Sequence, residues 1–398
     1  MKKTLIGLGL NRTVLALSMA RMADAIGNSV LFIVIPLYVV KMPSPWFPWP
    51  DSVRAGLLIS IYGLVSAFLQ PFTSALCDRF GHRKPFIQGG LILMGASTFS
   101  FIFASQFAFL LLLRVTQGMG VALTIPASMA LMASASEKET RGGSMGFYST
   151  ARMGGFAVGP LMGGFLYEHF GFDMAFYGGA FFIFLAMIMV RFMVKELPIV
   201  PPPREGKPFR FIDRALVDPG IFAAGFATFM MAAAFSMMTP LETQFNARLH
   251  ETALEFSMAF SALIIGRLLL QIPLGRLSDL YGRKPFIMGG LTLLALTTPL
   301  IGLSGSTSQL IWLRAVQGVA SAAISAPAFA LAADLTRTGG EARQMSVITM
   351  GFGLGLALGP LLAGLLSTYS FELPFASFGA LLLVSAWIVF RKVNETVR

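Results

Sequence analysis

The chain has 398 residues, 55% of them hydrophobic and 12% charged, with a mean hydropathy of +0.73 and a formal net charge of +11. A soluble globular domain carries about 25% charged residues, so this composition excludes a water-soluble enzyme and describes an integral membrane protein. Cys77 is the single cysteine, which excludes an intramolecular disulfide and a cysteine-based zinc site.

In chain order, apolar stretches long enough to cross a bilayer, about 20 residues each, centre near Val30, Tyr62, Met94, Val121, Gly155 and Phe184, and then near Phe229, Ile264, Leu294, Ala322, Gly355 and Leu383. Lipid-exposed segments must satisfy their own backbone hydrogen bonds, which predicts an all-α membrane protein of about twelve transmembrane helices. The strand-like alternation of an outer-membrane barrel is absent. Met1-Lys2-Lys3 and a short apolar run open the chain, but Asn11 and Arg12 break that run, so the first span is expected to act as its own uncleaved signal. Trp46 and Trp49, between Pro43 and Pro50, read as an interfacial anchor. At Lys195 the texture turns proline-rich and basic, through Pro198 to Pro203, Arg204, Lys207, Arg210 and Arg214, which is too polar to span and too rich in proline for one helix. The organisation expected is therefore an N-terminal six-helix bundle over residues 1–194, a cytoplasmic linker over 195–217 and a C-terminal six-helix bundle over 218–398.

The cations fall mostly on the linker's side of the membrane. Lys41, Arg54 and Arg248 lie on the other side, and Arg21, Arg114, Arg152, Arg267 and Arg314 sit inside apolar stretches. This positive-inside pattern puts both termini in the cytoplasm. It also accounts for the basic balance without nucleic-acid binding. His82, His169 and His250 are far apart in sequence, so no metal site and no cofactor is expected.

The two halves share words. Pro85-Phe86-Ile87 with Gly89-Gly90-Leu91 returns at Pro285-Phe286-Ile287 with Gly289-Gly290-Leu291, Arg114, Gln117 and Gly118 return at Arg314, Gln317 and Gly318, and Gly159-Pro160 returns at Gly359-Pro360. The offset is 285 − 85 = 200. A duplicated unit of this size in so apolar a chain predicts a transporter built from two pseudo-symmetric bundles.

Three motifs carry a resemblance. The loop after the second span holds Ser74, Asp78, Arg79, Gly81, His82 and Arg83, and its counterpart holds Gly275, Asp279, Gly282, Arg283 and Lys284. The fifth span reads Gly155-x-x-x-Gly159-Pro160-x-x-Gly163-Gly164, and the fourth carries Arg114-x-x-Gln117-Gly118. Over essentially its whole length the chain resembles the major facilitator superfamily of secondary transporters. The departures are Ser74, His82 and Leu280 in the loops. The resemblance implies that the two loops form a conformational latch, that the fifth-span glycine pattern marks drug–proton antiporters and hence export, and that Arg114 belongs to a proton-linked motif. Apart from the resemblance, small residues four apart let helices approach closely, and Pro160 permits a bend.

Arginine does not deprotonate at working pH, so a proton carrier must be sought among the acids. Asp24 is the acid well inside an apolar stretch, and intramembrane ionisable groups mark functional sites. Arg21 precedes it by three residues on the same helix face, where the two can pair. Proton coupling is thus assigned to Asp24, Arg21 and Arg114, and no catalytic set is present. The substrate cavity is assigned to Met230, Phe235, Met238, Arg152 and Gln117, since methionine repacks around varied lipophilic compounds. Glu242, near the outer end, reads either as a gate or as a solvated helix terminus, and the terminus is the reading favoured. The function expected is proton-coupled export of lipophilic cationic or zwitterionic drugs by alternating access, by a monomer whose partners are substrate, protons and membrane lipids. The alternative is transport of an organic anion or lipid headgroup, because Arg21, Arg114 and Arg152 outnumber Asp24.

Overall fold

The computed structural model describes residues 11–136, 140–196, 218–335 and 341–396, with the backbone alone at 78, 141–142 and 341–346. The N-terminal cations, most of the linker (residues 197–217) and the side chain of Asp78 lie outside the described residues. Among those described, every regular element is helical.

The helices are α1 Arg12–Val40, α2 Asp51–Phe80, α3 Lys84–Ser100, α4 Phe107–Ala135, α5 Arg141–Met193, α6 Pro219–Ser236, α7 Glu242–Leu249, α8 Ala253–Tyr281, α9 Arg283–Gly302, α10 Thr307–Leu335, α11 Glu341–Leu366 and α12 Leu373–Lys392. Eleven stretches among the described residues are long and apolar enough to cross a membrane. One of them, Gly143–Met193, has 51 residues, about 75 Å of helix at 1.5 Å per residue, twice what a bilayer needs. Gly171 divides it with φ 84°, a left-handed conformation open to glycine at little cost. The fifth and sixth expected spans are therefore two helices that meet at Gly171. The seventh span is interrupted instead: α6 ends at Ser236, a 3₁₀ turn at Thr239–Leu241 carries Pro240, and α7 follows to a left-handed cap at His250, φ 53°.

Two compact units form, one of residues 1–48, 64–204 and 252–257, the other of 49–63, 205–251 and 258–398. Relative to the division by chain order, they exchange two short segments, and missing side chains explain both. In the second unit a Cβ on Gly63 would come within 2.9 Å of Ala357 Cβ, and Ser60 Oγ accepts from the Leu361 amide at 3.1 Å. In the first, a Cβ on Gly164 would meet Ala253 O at 2.8 Å, and Glu168 accepts from the Leu254 amide at 3.3 Å.

Each unit is organised around one buried helix. In the first it is α1, started by Asn11, whose side chain accepts from the Val14 amide at 2.9 Å. The glycines of the fifth-span motif lie along it at four-residue intervals. A Cβ on Gly155 would meet Met22 O and Ala25 Cβ, one on Gly159 would meet Ser29 Oγ and Ile26 O, and one on Gly163 would meet Val30 O. In the second unit α6, capped by Asp218 with Pro219 in its first turn, takes the same place. There Gly355 faces Phe229 O and Ala232 Cβ, and Gly359 faces Ser236 Oγ and Ala233 O. Residue 22 thus corresponds to 229 and residue 29 to 236, an offset of 229 − 22 = 207.

Candidate functional site

Asp24 lies in the middle of α1, 2% exposed. Nothing local obliges an acid there, and α1 is otherwise apolar or small for most of its length. Its carboxylate is met by three groups of the first unit. Arg21, one turn earlier and 8% exposed, donates through Nη1 to Oδ2. Asn28, one turn later, donates through Nδ2 to Oδ1 at 2.6 Å and to the Asp24 carbonyl at 3.0 Å. Arg152 on α5 lies close enough for its charge to act on Asp24, while its guanidinium lies 5.1 Å from the Phe156 ring centroid. The structure therefore brings Arg152, expected among the cavity walls, within electrostatic range of the carboxylate.

Arg114 on α4 is 1% exposed. It donates through Nη1 to Gln117 Oε1 at 3.0 Å, and Gln117 Nε2 donates to Thr98 Oγ1 on α3 at 2.7 Å. Its guanidinium sits 5.9 Å from the Phe101 centroid. Gln117 is engaged at both ends of its amide. The second unit repeats the relay: Arg314 Nη1 donates to Gln317 Oε1 at 2.9 Å, and Gln317 Nε2 to Thr298 Oγ1 at 3.0 Å. Arg314 also donates to the Phe235 carbonyl at 3.2 Å and stacks between Phe235 and Phe260. Met230 and Met238 are 2% and 1% exposed within the second unit. Phe235 packs edge-on against Phe260 at 5.1 Å between centroids.

The offset of 207 places Met231 where Asp24 stands and Phe235 where Asn28 stands. The arginine relay is duplicated, whereas the carboxylate belongs to the first unit alone. Sequence comparison misses this, because α1 and α6 share no words and their register differs from the offset of 200 that holds from Pro85 onward.

The loops before α3 and α9 turn on Gly81 (φ 67°) and Gly282 (φ 106°). Arg79 is exposed. Arg83 donates to the Ala130 carbonyl at 2.6 Å and to Ser134 Oγ at 2.7 Å on α4. Arg283 reaches carboxylates, pairing with Asp279 and lying 3.4 Å from Asp334. A pair of glutamates not singled out in the sequence completes both loops. Glu196 accepts from the Arg83 and Lys84 amides at 2.9 and 2.8 Å, and Glu395 from the Arg283 and Lys284 amides at 2.9 and 3.1 Å. Each carboxylate supplies acceptors to helix amides that have no intrahelical partner.

Glu242 departs from expectation. It is not a solvated terminus: its relative exposure is 0%, because Pro240 and the 3₁₀ turn fold the start of α7 into the second unit.

The family model of the Major Facilitator Superfamily matches residues 6–249 and 226–398. The chain belongs to this superfamily. It is 27% identical over 326 residues to a multi-drug resistance efflux pump PmrA homolog of Lactococcus lactis, covering 80% of this chain and 79% of that one. A synaptic vesicular amine transporter of Homo sapiens is 31% identical over 191 residues, 48% of this chain and 36% of its own length. Among solved structures, a bacterial homolog of the human lysosomal transporter Spinster superposes with a TM-score of 0.78 at 17% identity over 96% of both chains, a likeness of fold. This superfamily member is a multi-pass membrane transporter and not an enzyme.

Proposed function

We propose that this transporter exports lipophilic cationic or zwitterionic compounds across the bacterial inner membrane in exchange for protons, with both termini cytoplasmic and without a cofactor. The observation that carries the reading is Asp24, a buried carboxylate held by Arg21 and Asn28 and lying within the field of Arg152. The relatives named for multidrug efflux and for vesicular amine transport support a lipophilic, basic substrate.

In this mechanism Arg21 and Asp24 form a switch. While paired, they cancel most of the cost of placing charge inside the membrane. A cation engages Asp24 only after Arg21 has released it. A proton on Asp24 removes the anion to which the cation is drawn, so proton and substrate compete for one carboxylate, and competition yields antiport. Arg114 anchors the surroundings through Gln117 and Thr98. Its twin Arg314 reaches the carbonyl of Phe235, the position equivalent to Asn28, which supports a place for Arg114 one turn from Asp24. The Gly81 and Gly282 loops act as the latch between access states. Their glutamate clasps support this role, since each fixes a helix start to the end of the sixth span of its own half.

A second reading rests on one observation. Two arginines act on a single carboxylate, an excess of positive charge suited to a carboxylate- or phosphate-bearing substrate. Transport into inverted vesicles under an imposed pH gradient decides between them. Drug export predicts uptake of lipophilic amines that Asp24→Asn abolishes. Uptake of organic anions that survives this substitution would establish the second reading.

A further inference from the structure

Glu242, like its neighbour Glu251, is also driven into the interior, and its environment differs from that of Asp24 in kind. Its exposure is 0%, and neither Oε1 nor Oε2 has a hydrogen-bond partner. Among the described residues, the charged groups around it provide no counter-ion. Arg248, on the same helix, is turned to Glu372 and bonds it at 2.5 Å on an exposed face. The charge that acts on Glu242 is that of Glu251, itself an acid, 6% exposed. The Thr239–Leu241 turn packs on α11, whose turns from Gly351 to Leu366 contain no charged residue. Phe245, one turn along α7, is sealed by Phe371 and Phe375 at 4.9 and 5.7 Å between centroids.

An isolated carboxylate ion in such a place costs several kcal/mol; a neutral carboxylic acid costs far less. Burial presses on Asp24 as well, but there Arg21, Arg152 and the Asn28 amide oppose it, whereas nothing of the kind is found at Glu242 among the described residues. A group with 0% exposure also leaves no room for an organic cation, so the ligand is a proton. We propose that Glu242 is a second proton-binding site, located in the second unit at the end of the seventh span far from the linker, and that it exchanges its proton when that end opens to water. This goes beyond the Asp24 mechanism and does not depend on it, because occupancy of Glu242 follows from its own surroundings.

Two measurements on the full-length protein test it. The first is infrared spectroscopy of the neutral carboxylic acid carbonyl stretch near pH 7, with wild type, Glu242→Gln and Asp24→Asn compared. The expected result is a band lost in Glu242→Gln and kept in Asp24→Asn. The second needs no variant: dicyclohexylcarbodiimide, which adds to protonated carboxyls in apolar surroundings, is applied to wild type and the adduct located by peptide mass mapping. An adduct on Glu242, with exposed Glu372 unmodified, supports the site. A band unchanged in a folded Glu242→Gln protein, or an unmodified Glu242, overturns it. Failure of the antiport reading leaves both readouts as they are.

Discussion

At the scale of single residues, the protein keeps Asp24 and Glu242 buried in opposite environments. Asp24 is surrounded by donors and positive charge, and Glu242 by apolar groups and another acid. Replacing Asp24 with asparagine keeps the shape and most of the Asn28 contact but leaves Arg21 and Arg152 without their anion, so a stability loss of about 3 kcal/mol is expected, measured as a fall in the unfolding temperature of the purified protein. Arg21→Ala with Asp24→Asn should recover part of that loss, since the double variant holds one buried charge fewer. Glu372 supplies a pH dependence. The hydrogen bond from Arg248 holds its carboxyl below the usual range. A depressed folded value contributes stability that is present above the unfolded value and lost as pH falls through the folded one. Arg248→Gln should therefore lower the unfolding temperature at neutral pH and have no effect once the pH is acidic enough to protonate Glu372 in both proteins. Asp24 was legible in the sequence as an acid within an apolar run. Glu242 was not, because its burial depends on the turn at Pro240, and a glutamate six residues past the end of an apolar helix reads as an ordinary polar boundary.

At the scale of elements, the glycine motifs are explained by contact rather than by chain flexibility. Gly159 and Gly359 place one helix directly on the carbonyls of another, so that any side chain must displace backbone. Valine at either position should cost about 1–3 kcal/mol through overpacking, and the equal effect in both halves would be read in thermal unfolding. Gly154 is the internal control: a Cβ there meets nothing within 4 Å, so Gly154→Ala should be neutral or stabilising by up to about 1 kcal/mol from helix propensity. The sequence showed the pattern but not which of its glycines touch a neighbour. The same limit hid the clasps. Glu196 and Glu395 lie beyond the last turn of a span, with no motif around them, and their partners stand 113 and 112 residues earlier. Replacing either with glutamine should cost about 1 kcal/mol, as loss of a helix cap does.

At the scale of the whole molecule, duplication supplied the architecture and divergence supplied the chemistry. The repeated words predicted two related halves, and the Arg114–Gln117–Thr98 and Arg314–Gln317–Thr298 relays show how far that relation extends into side-chain geometry. The offset of 207 between α1 and α6, against 200 elsewhere, required the packed helices to be seen, and it is what isolates Asp24 from its apolar counterpart Met231. The two relays should therefore contribute alike to stability, with Arg114→Gln and Arg314→Gln lowering the unfolding temperature by similar amounts, while the proposed competition at Asp24 should respond to Arg114→Gln alone. The most direct measurement of the central claim is proton release from purified protein on addition of a lipophilic amine, wild type beside Asp24→Asn. Competition at Asp24 predicts release from wild type and none from the variant. Equal release from both, or release driven by organic anions alone, would contradict it.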